Sequence, residues 1–69
     1  MNRNQLEGTW HQIRGRVQEQ WGRLTNDDLD IINGKYDQLV GKIESRYGMA
    51  KEEAERSVRE WWDRVTVEG

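Results

Sequence analysis

The fold of this chain is decided by two similar segments, GTWHQIRGRVQEQWG at residues 8–22 and GKYDQLVGKIESRYG at residues 34–48. With a shift of 26, four of the fifteen positions are identical and five more carry close substitutions, such as Trp21 and Tyr47. Self-similarity this dense in 69 residues indicates a duplicated structural unit. The repeat predicts an architecture, and it does not predict a chemical activity.

Apolar residues of the first segment recur at helical spacing. They lie 4, 3, 4, 4 and 3 residues apart, which places them on one stripe of an α-helix. Asn2 or Asn4 is expected to cap the start of this helix, and Gly22 is expected to end it in the left-handed conformation. The stripe consists of Leu6, Trp10, Ile13, Val17, Trp21 and Leu24.

A short second helix is predicted to follow. Thr25 is a strong N-cap residue, and Asp27 and Asp28 stand where the helix dipole favours negative charge. Asp28 also completes a capping box of the Thr-x-x-acid type. Asn33 and Gly34 both tolerate positive φ and are expected to end the helix. Its apolar residues are Leu29, Ile31 and Ile32.

Two further helices are predicted, from about Lys35 to Tyr47 and from about Lys51 to Val65. Gly48 is expected to end the third helix as Gly22 ends the first. Ala50 stands where Thr25 stands in the first half, so the cap of the fourth helix should be weaker. The predicted inward residues are Tyr36, Leu39, Val40, Ile43 and Tyr47 in the third helix and Ala54, Val58, Trp61 and Val65 in the fourth.

These elements predict one all-α domain over residues 1–69, made of two pseudo-symmetric α-hairpins packed roughly orthogonally. The hairpins are expected at about 4–33 and 34–65, with a frayed tail at 66–69. Neither hairpin can cover its own apolar stripe, so the two must pack on each other.

Gly15 and Gly41 fall at matching positions in the middle of the first and third predicted helices. A mid-helix glycine costs about 0.5–1 kcal/mol relative to alanine. Gly15 and Gly41 are therefore predicted to let the first and third helices approach closely, and the alternative is sequence drift on a solvent-facing surface.

Composition narrows the function classes. Only 33% of residues are hydrophobic, 35% are charged and the mean hydropathy is -1.14, but four Trp, two Tyr and regular apolar spacing favour a folded domain. The chain has no cysteine, which excludes disulfides and thiolate metal sites. No apolar run approaches the ~20 residues that cross a bilayer, and no signal-peptide pattern opens the chain. The expected compartment is the cytoplasm, without membrane insertion.

Two segments, WGRLTNDD at 21–28 and LVGKI at 39–43, occur in an order and at a distance that resemble the CsbD-like family of small bacterial stress-response proteins. The resemblance covers residues 1 to about 62. It implies a small soluble protein of general or osmotic stress, with a SAM-domain-like fold of two orthogonal helical hairpins. The family has no established biochemical activity, so the resemblance transfers no catalytic residue, binding residue or cofactor. Trp61 matches the family's aromatic residue in the fourth helix, whereas Trp62 is an addition.

No constellation of residues predicts catalysis. His11 is the single histidine and is expected on the solvated side of the first helix. The acidic group Asp27, Asp28 and Asp30 lacks the ligand spacing of a calcium loop, and helix-start electrostatics explains Asp27 and Asp28. The glycines do not form a phosphate-binding loop. We therefore expect no catalytic residue, no metal site and no cofactor.

Two surfaces are candidates for interaction. Arg14, Arg16 and Arg23 give the first helix a basic character that suits a weak contact with nucleic-acid phosphates, an argument from fold analogy. The alternative is a solvated face balanced by neighbouring glutamates. Trp62 lies about 100° from Trp61 around the helix, so it is either exposed for a partner or self-association or folded over the edge of the bundle.

The function predicted from the sequence is therefore a non-enzymatic stress-response protein, protective or adaptor, expected to be a monomer. The alternative is a small protein- or nucleic-acid-binding module that uses the basic face of the first helix or the aromatic residue of the fourth. An enzyme is disfavoured because four short helices leave little room for a buried pocket.

Overall fold

The computed structural model describes residues 3–68, with side chains described for residues 3–65. Within residues 3–68 the chain forms four α-helices and no strand, which confirms the all-α class. The helices are α1 (Arg3–Gln20), α2 (Asn26–Ile32), α3 (Tyr36–Tyr47) and α4 (Lys51–Glu68). α3 packs most extensively against α4, then α2, and also contacts α1. The pairing into two pseudo-symmetric hairpins stays a prediction.

The helices enclose an aromatic and aliphatic core. Trp21, just after α1, packs edge to face against Trp61 of α4, with ring centroids 5.2 Å apart, an arrangement that aromatic pairs prefer. Ile13, Tyr36, Tyr47 and Val65 are partly buried against this core, whereas Ile31 is 54% exposed. The buried hydrophobic residues are Leu6, Trp10, Val17, Trp21, Leu24, Leu29, Ile32, Leu39, Val40, Ile43, Ala54, Val58, Trp61 and Trp62.

The ends of α2 follow the sequence prediction. The Thr25 hydroxyl accepts a hydrogen bond from the backbone N–H of Asp28 at 3.1 Å, and an Asp28 carboxylate oxygen accepts one from the backbone N–H of Thr25 at 3.0 Å. This is the predicted capping box. At the other end Asn33 (φ 43°) and Gly34 (φ 82°) both adopt positive φ.

The ends of the longer helices agree only in part. Gly48 ends α3 in the left-handed conformation, as predicted (φ 65°). The prediction for Gly22 is wrong, because its φ is not positive. After α1 the chain turns through a hydrogen bond from the Leu24 N–H to the Trp21 carbonyl (3.0 Å). α4 continues to Glu68, past the predicted end at Val65, since no glycine or proline interrupts the chain between Gly48 and Gly69. Of the two caps predicted for α1, Asn4 is wrong because it lies inside the helix, and Asn2 lies outside the described residues.

The prediction that Gly15 and Gly41 permit a close helix contact is wrong. A Cβ atom built at either position meets nothing within 4 Å, and both residues are exposed. The solvent-face alternative is the one found. The close approach occurs at Gly34, where a Cβ would lie 2.9 Å from the Glu7 Cα and 3.0 Å from the Trp10 Cβ. The turn between α2 and α3 therefore rests directly on α1.

Candidate functional site

Asp28 is the centre of the best-connected polar cluster of the described residues. Its side chain is 2% exposed, yet it bears a charge. Arg46 binds it with two hydrogen bonds, Nε to Oδ2 and Nη2 to Oδ1, each 2.9 Å long. The Lys42 Nζ lies 3.4 Å from Oδ1. The cluster of Asp28, Lys42 and Arg46 thus joins the first turn of α2 to the last two turns of α3.

Electrostatics in this cluster follow from its hydrogen bonds. The two bonds from Arg46, and then the backbone N–H of Thr25, hold the pKa of the Asp28 carboxyl well below its usual range against the opposing effect of burial. The same hydrogen bonds to Asp28 raise the pKa of Arg46. Asp28 therefore stays ionised and Arg46 stays protonated at any physiological pH.

A second set of contacts, between Arg23 and the end of α3, lies beside this cluster. The backbone N–H of Arg23 donates to the Tyr47 hydroxyl at 3.1 Å, and the Arg23 guanidinium lies 5.5 Å from the centre of the Tyr47 ring. The Arg23 Nη1 also donates to the Arg46 carbonyl at 3.5 Å. The turn after α1 is held in this way against the end of α3.

A groove of about 300 Å³ borders Tyr36, between α3 and the starts of α1 and α4. The Tyr36 hydroxyl donates to a carboxylate oxygen of Glu55 at 3.3 Å, and Arg3 lies over the Tyr36 ring at 4.8 Å. Burial, followed by the charge of Glu55, raises the pKa of Tyr36. A phenol with a raised pKa beside a carboxylate is a hydrogen-bond donor at neutral pH. The groove therefore offers polar contacts, and its Tyr36 hydroxyl stays protonated.

The three arginines proposed for a basic face do not share one environment. Arg14 pairs with Asp30 at 2.8 Å. Arg16 lines a groove with Glu19 and Trp61 between α1 and α4, and Arg23 lies against Tyr47. The basic face predicted for the first helix thus contains arginines in three different environments, and binding by any of them stays a prediction.

Trp62 is 6% exposed. Its ring centroid lies 6.2 Å from that of Trp61, in a tilted arrangement. Trp62 therefore folds over the edge of the bundle, which is the second of the two alternatives. The neighbouring helices cover its ring although it lies about 100° from Trp61 around α4. An interaction surface based on an exposed Trp62 is therefore excluded in this conformation.

The acidic group does not gather into a cation site. Asp28 is engaged by Arg46 and Lys42, and Asp30 by Arg14. Among the described residues no three histidine, cysteine or acidic side chains converge as metal ligands would. His11 is exposed on α1, as predicted from the sequence.

Sequence reasoning missed Lys42 and Arg46 as partners of Asp28. The signal available was their i, i+4 spacing, which puts both cations on one side of α3. That spacing does not reveal which side of α3 faces α2. The sequence therefore could not show that Arg46 pairs with Asp28, which lies 18 residues earlier.

Helical content, a tryptophan-rich core and a densely charged surface define this chain as a small, hydrophilic all-α domain. A family model described as CsbD-like matches residues 4–56, and the chain belongs to that family. None of the helices within residues 3–68 combines the length and the apolar character that a bilayer crossing requires.

Bacterial relatives align over nearly the whole chain. The UPF0337 protein ECA0631 of Pectobacterium atrosepticum is 56% identical over 63 residues, which are 91% of each chain. The UPF0337 protein YjbJ of Escherichia coli K12 is 56% identical over 61 residues, 88% of each chain. The UPF0337 protein pc0632 of Protochlamydia amoebophila is 47% identical over 64 residues, 93% of this chain and 97% of its own. None of these names specifies a reaction, a substrate or a partner.

Proposed function

We propose that this chain is a non-enzymatic protein of the bacterial general or osmotic stress response, acting in the cytoplasm. Membership of the CsbD-like family supports the assignment to stress. Of the two roles that the sequence leaves open, protective and adaptor, the character of the surface favours the protective one.

The observation that favours the protective role is that polar side chains cover almost the whole hydrophobic core. Of the large hydrophobic side chains in the described part of the chain, Ile31 alone is exposed, while 35% of all residues are charged. Protein-binding surfaces usually present a patch of apolar or aromatic side chains to the partner. A single isoleucine is far smaller than such a patch. A hydrated surface on which charges of both signs are interspersed instead keeps the protein dispersed at high concentration.

A protection assay tests this role directly. A labile reporter enzyme is dried or frozen with and without the purified chain, and its remaining activity is measured. A protective protein preserves activity in proportion to its concentration, with no saturation at one-to-one stoichiometry. The control is a variant with Leu29→Asp, which places a charge in the core and unfolds the domain while leaving the composition almost unchanged.

Equal protection by the folded chain and by an unrelated protein of the same mass would contradict the protective role. Affinity capture from stressed cells, with a variant of helix α4 as the control, then tests the adaptor role. A partner that is retained by the parent chain and lost with the α4 variant would establish the adaptor instead.

A further inference from the structure

We propose that Arg23, Lys42 and Arg46 form a binding surface for the phosphate groups of a polyanionic chain. This inference goes beyond the protective role and does not depend on it. It keeps Arg23 from the basic face predicted from the sequence, and it places Lys42 and Arg46 of α3 beside it instead of Arg14 and Arg16 of α1. We call the three residues the phosphate patch.

The first argument is that the positive charges of this cluster are more exposed than its negative charge. The carboxylate of Asp28 is 2% exposed, whereas the side chains of Lys42 and Arg46 above it are 26% and 44% exposed. The negative charge is thus at the bottom of the cluster and the positive charges are at the surface. Arg23 adds a third cation, and it forms no ion pair with a described carboxylate. An approaching anion meets three cations over one buried carboxylate.

The second argument is preorganisation. Both hydrogen bonds of Arg46 to Asp28 use Nε and Nη2, so the Nη1 hydrogens donate to no described protein atom. The guanidinium is held in place by that pairing, and Arg23 is held by the Tyr47 ring and the Arg46 carbonyl. Side chains that are already ordered lose less conformational entropy when they bind. Guanidinium groups also present several donors in a plane, which suits phosphate oxygens.

The size of the patch indicates the kind of ligand. Three cations and a net charge of -2 for the whole chain give little attraction for a single phosphate. A chain of phosphates gains from several contacts at once and from the release of condensed counterions. Both the backbone of single-stranded nucleic acid and linear polyphosphate supply this chemistry, so both serve as probes.

Binding is measured at about 20 mM salt and again at about 100 mM, because phosphate contacts weaken steeply with salt. Fluorescence anisotropy follows a labelled oligodeoxythymidylate, and calorimetry follows linear polyphosphate. The test variant is Arg23→Gln with Lys42→Gln, which leaves the Asp28–Arg46 pair in place. The control, Arg56→Gln with Arg64→Gln, removes the same charge from exposed positions of α4.

We expect salt-sensitive binding of at least one probe by the parent chain, and the probe that binds identifies the source of the phosphate. The test variant should bind about tenfold more weakly and lower the salt slope by about 1.4, the value for two lost contacts with a single strand. The control should lose less than about threefold. The charge-preserving variant Arg23→Lys with Lys42→Arg should retain binding, which separates charge from folding.

Two results would overturn the phosphate patch. One is the absence of salt-sensitive binding of either probe at the lower salt concentration. The other is an equal loss in the test and control variants, since that would reflect net charge alone. A loss in Arg14→Gln with Arg16→Gln that exceeds the loss in the test variant would move the site to helix α1.

Discussion

Gly34 is the residue at which local conformation and tertiary packing constrain the sequence together. Its φ of 82° lies in the region that only glycine enters at little cost, and a Cβ there would lie 2.9 Å from the Glu7 Cα in α1. Gly48 shares the first constraint, with φ 65°, and not the second, since a Cβ there has open space. Comparing substitutions at Gly34 and Gly48 therefore separates the free-energy cost of the left-handed conformation from the cost of a steric clash.

Replacing Gly34 with alanine should destabilise the domain by more than the same change at Gly48. Gly48→Ala should cost about 1–2 kcal/mol from the left-handed conformation alone. Gly34→Ala adds a clash with backbone that cannot rotate away. Thermal unfolding followed by circular dichroism measures both. Equal losses in the two variants would show that the turn does not press on α1.

Replacing Gly15 or Gly41 with alanine should stabilise the domain. Each change removes backbone freedom from the unfolded chain and adds a Cβ in open space, for a gain of about 0.5–1 kcal/mol. In a domain of this size that gain raises Tm by about 2–8 °C. Differential scanning calorimetry of each single variant provides the measurement. A fall in Tm for either variant would contradict this placement and would indicate that the glycine lies in a close contact between helices.

At the scale of the element, α2 shows how a helix of seven residues persists. A helix this short is unstable in isolation. Here the capping box provides hydrogen-bond partners at the start of α2, and Asn33 ends the helix with a positive φ. Leu29 and Ile32 of α2 are buried in the core. Its stability therefore comes from both ends and from the core at once.

Removing the cap should loosen α2 specifically. Thr25→Ala deletes the oxygen that accepts from the Asp28 N–H and should cost about 1 kcal/mol, or about 4–8 °C in Tm. Thr25→Ser keeps that oxygen and should cost much less. Amide hydrogen exchange should show faster exchange in the first turn of α2 in the alanine variant. Equal stability of the alanine and serine variants would argue against the capping box as a source of stability.

For the whole molecule, the pair of Asp28 and Arg46 links the first half of the chain to the second. A buried charge is favourable only when its partner stays in place. Because the pKa of Asp28 is lower in the folded than in the unfolded chain, its contribution is fully present above the ordinary carboxyl pKa of about 3.9. The contribution is lost as pH falls below that value, when the unfolded chain takes up a proton more readily than the folded one.

The stability difference between the parent chain and Asp28→Asn should therefore depend on pH. We expect it to be largest above about pH 5 and to shrink as pH falls from about 4 towards 2. Thermal unfolding of both proteins across this range measures it. Asp27→Asn, in the same turn of α2 but exposed, should lose less stability at pH 7. A gap between parent and Asp28→Asn that does not change with pH would show that the ion pair does not stabilise the fold.

Features that depend on a few neighbouring residues could be predicted well. The apolar stripes, the capping box at Thr25 and the end of α3 at Gly48 each involve residues within one or two turns, so periodicity and capping rules apply directly. The phosphate patch could not be predicted in this way, because Arg23 and Arg46 are far apart in the sequence and meet only when α3 packs beside the turn after α1.

The sequence by itself thus determined the helices, the all-α class and the family, since these follow from local periodicity and from residue order. Only the tertiary structure decided what surrounds each surface position. It placed the close contact at Gly34 instead of Gly15 and Gly41, buried Trp62 and paired Asp28 with Arg46. The physical reason is that such contacts depend on the direction in which one helix passes another, and a periodic stripe does not specify that direction.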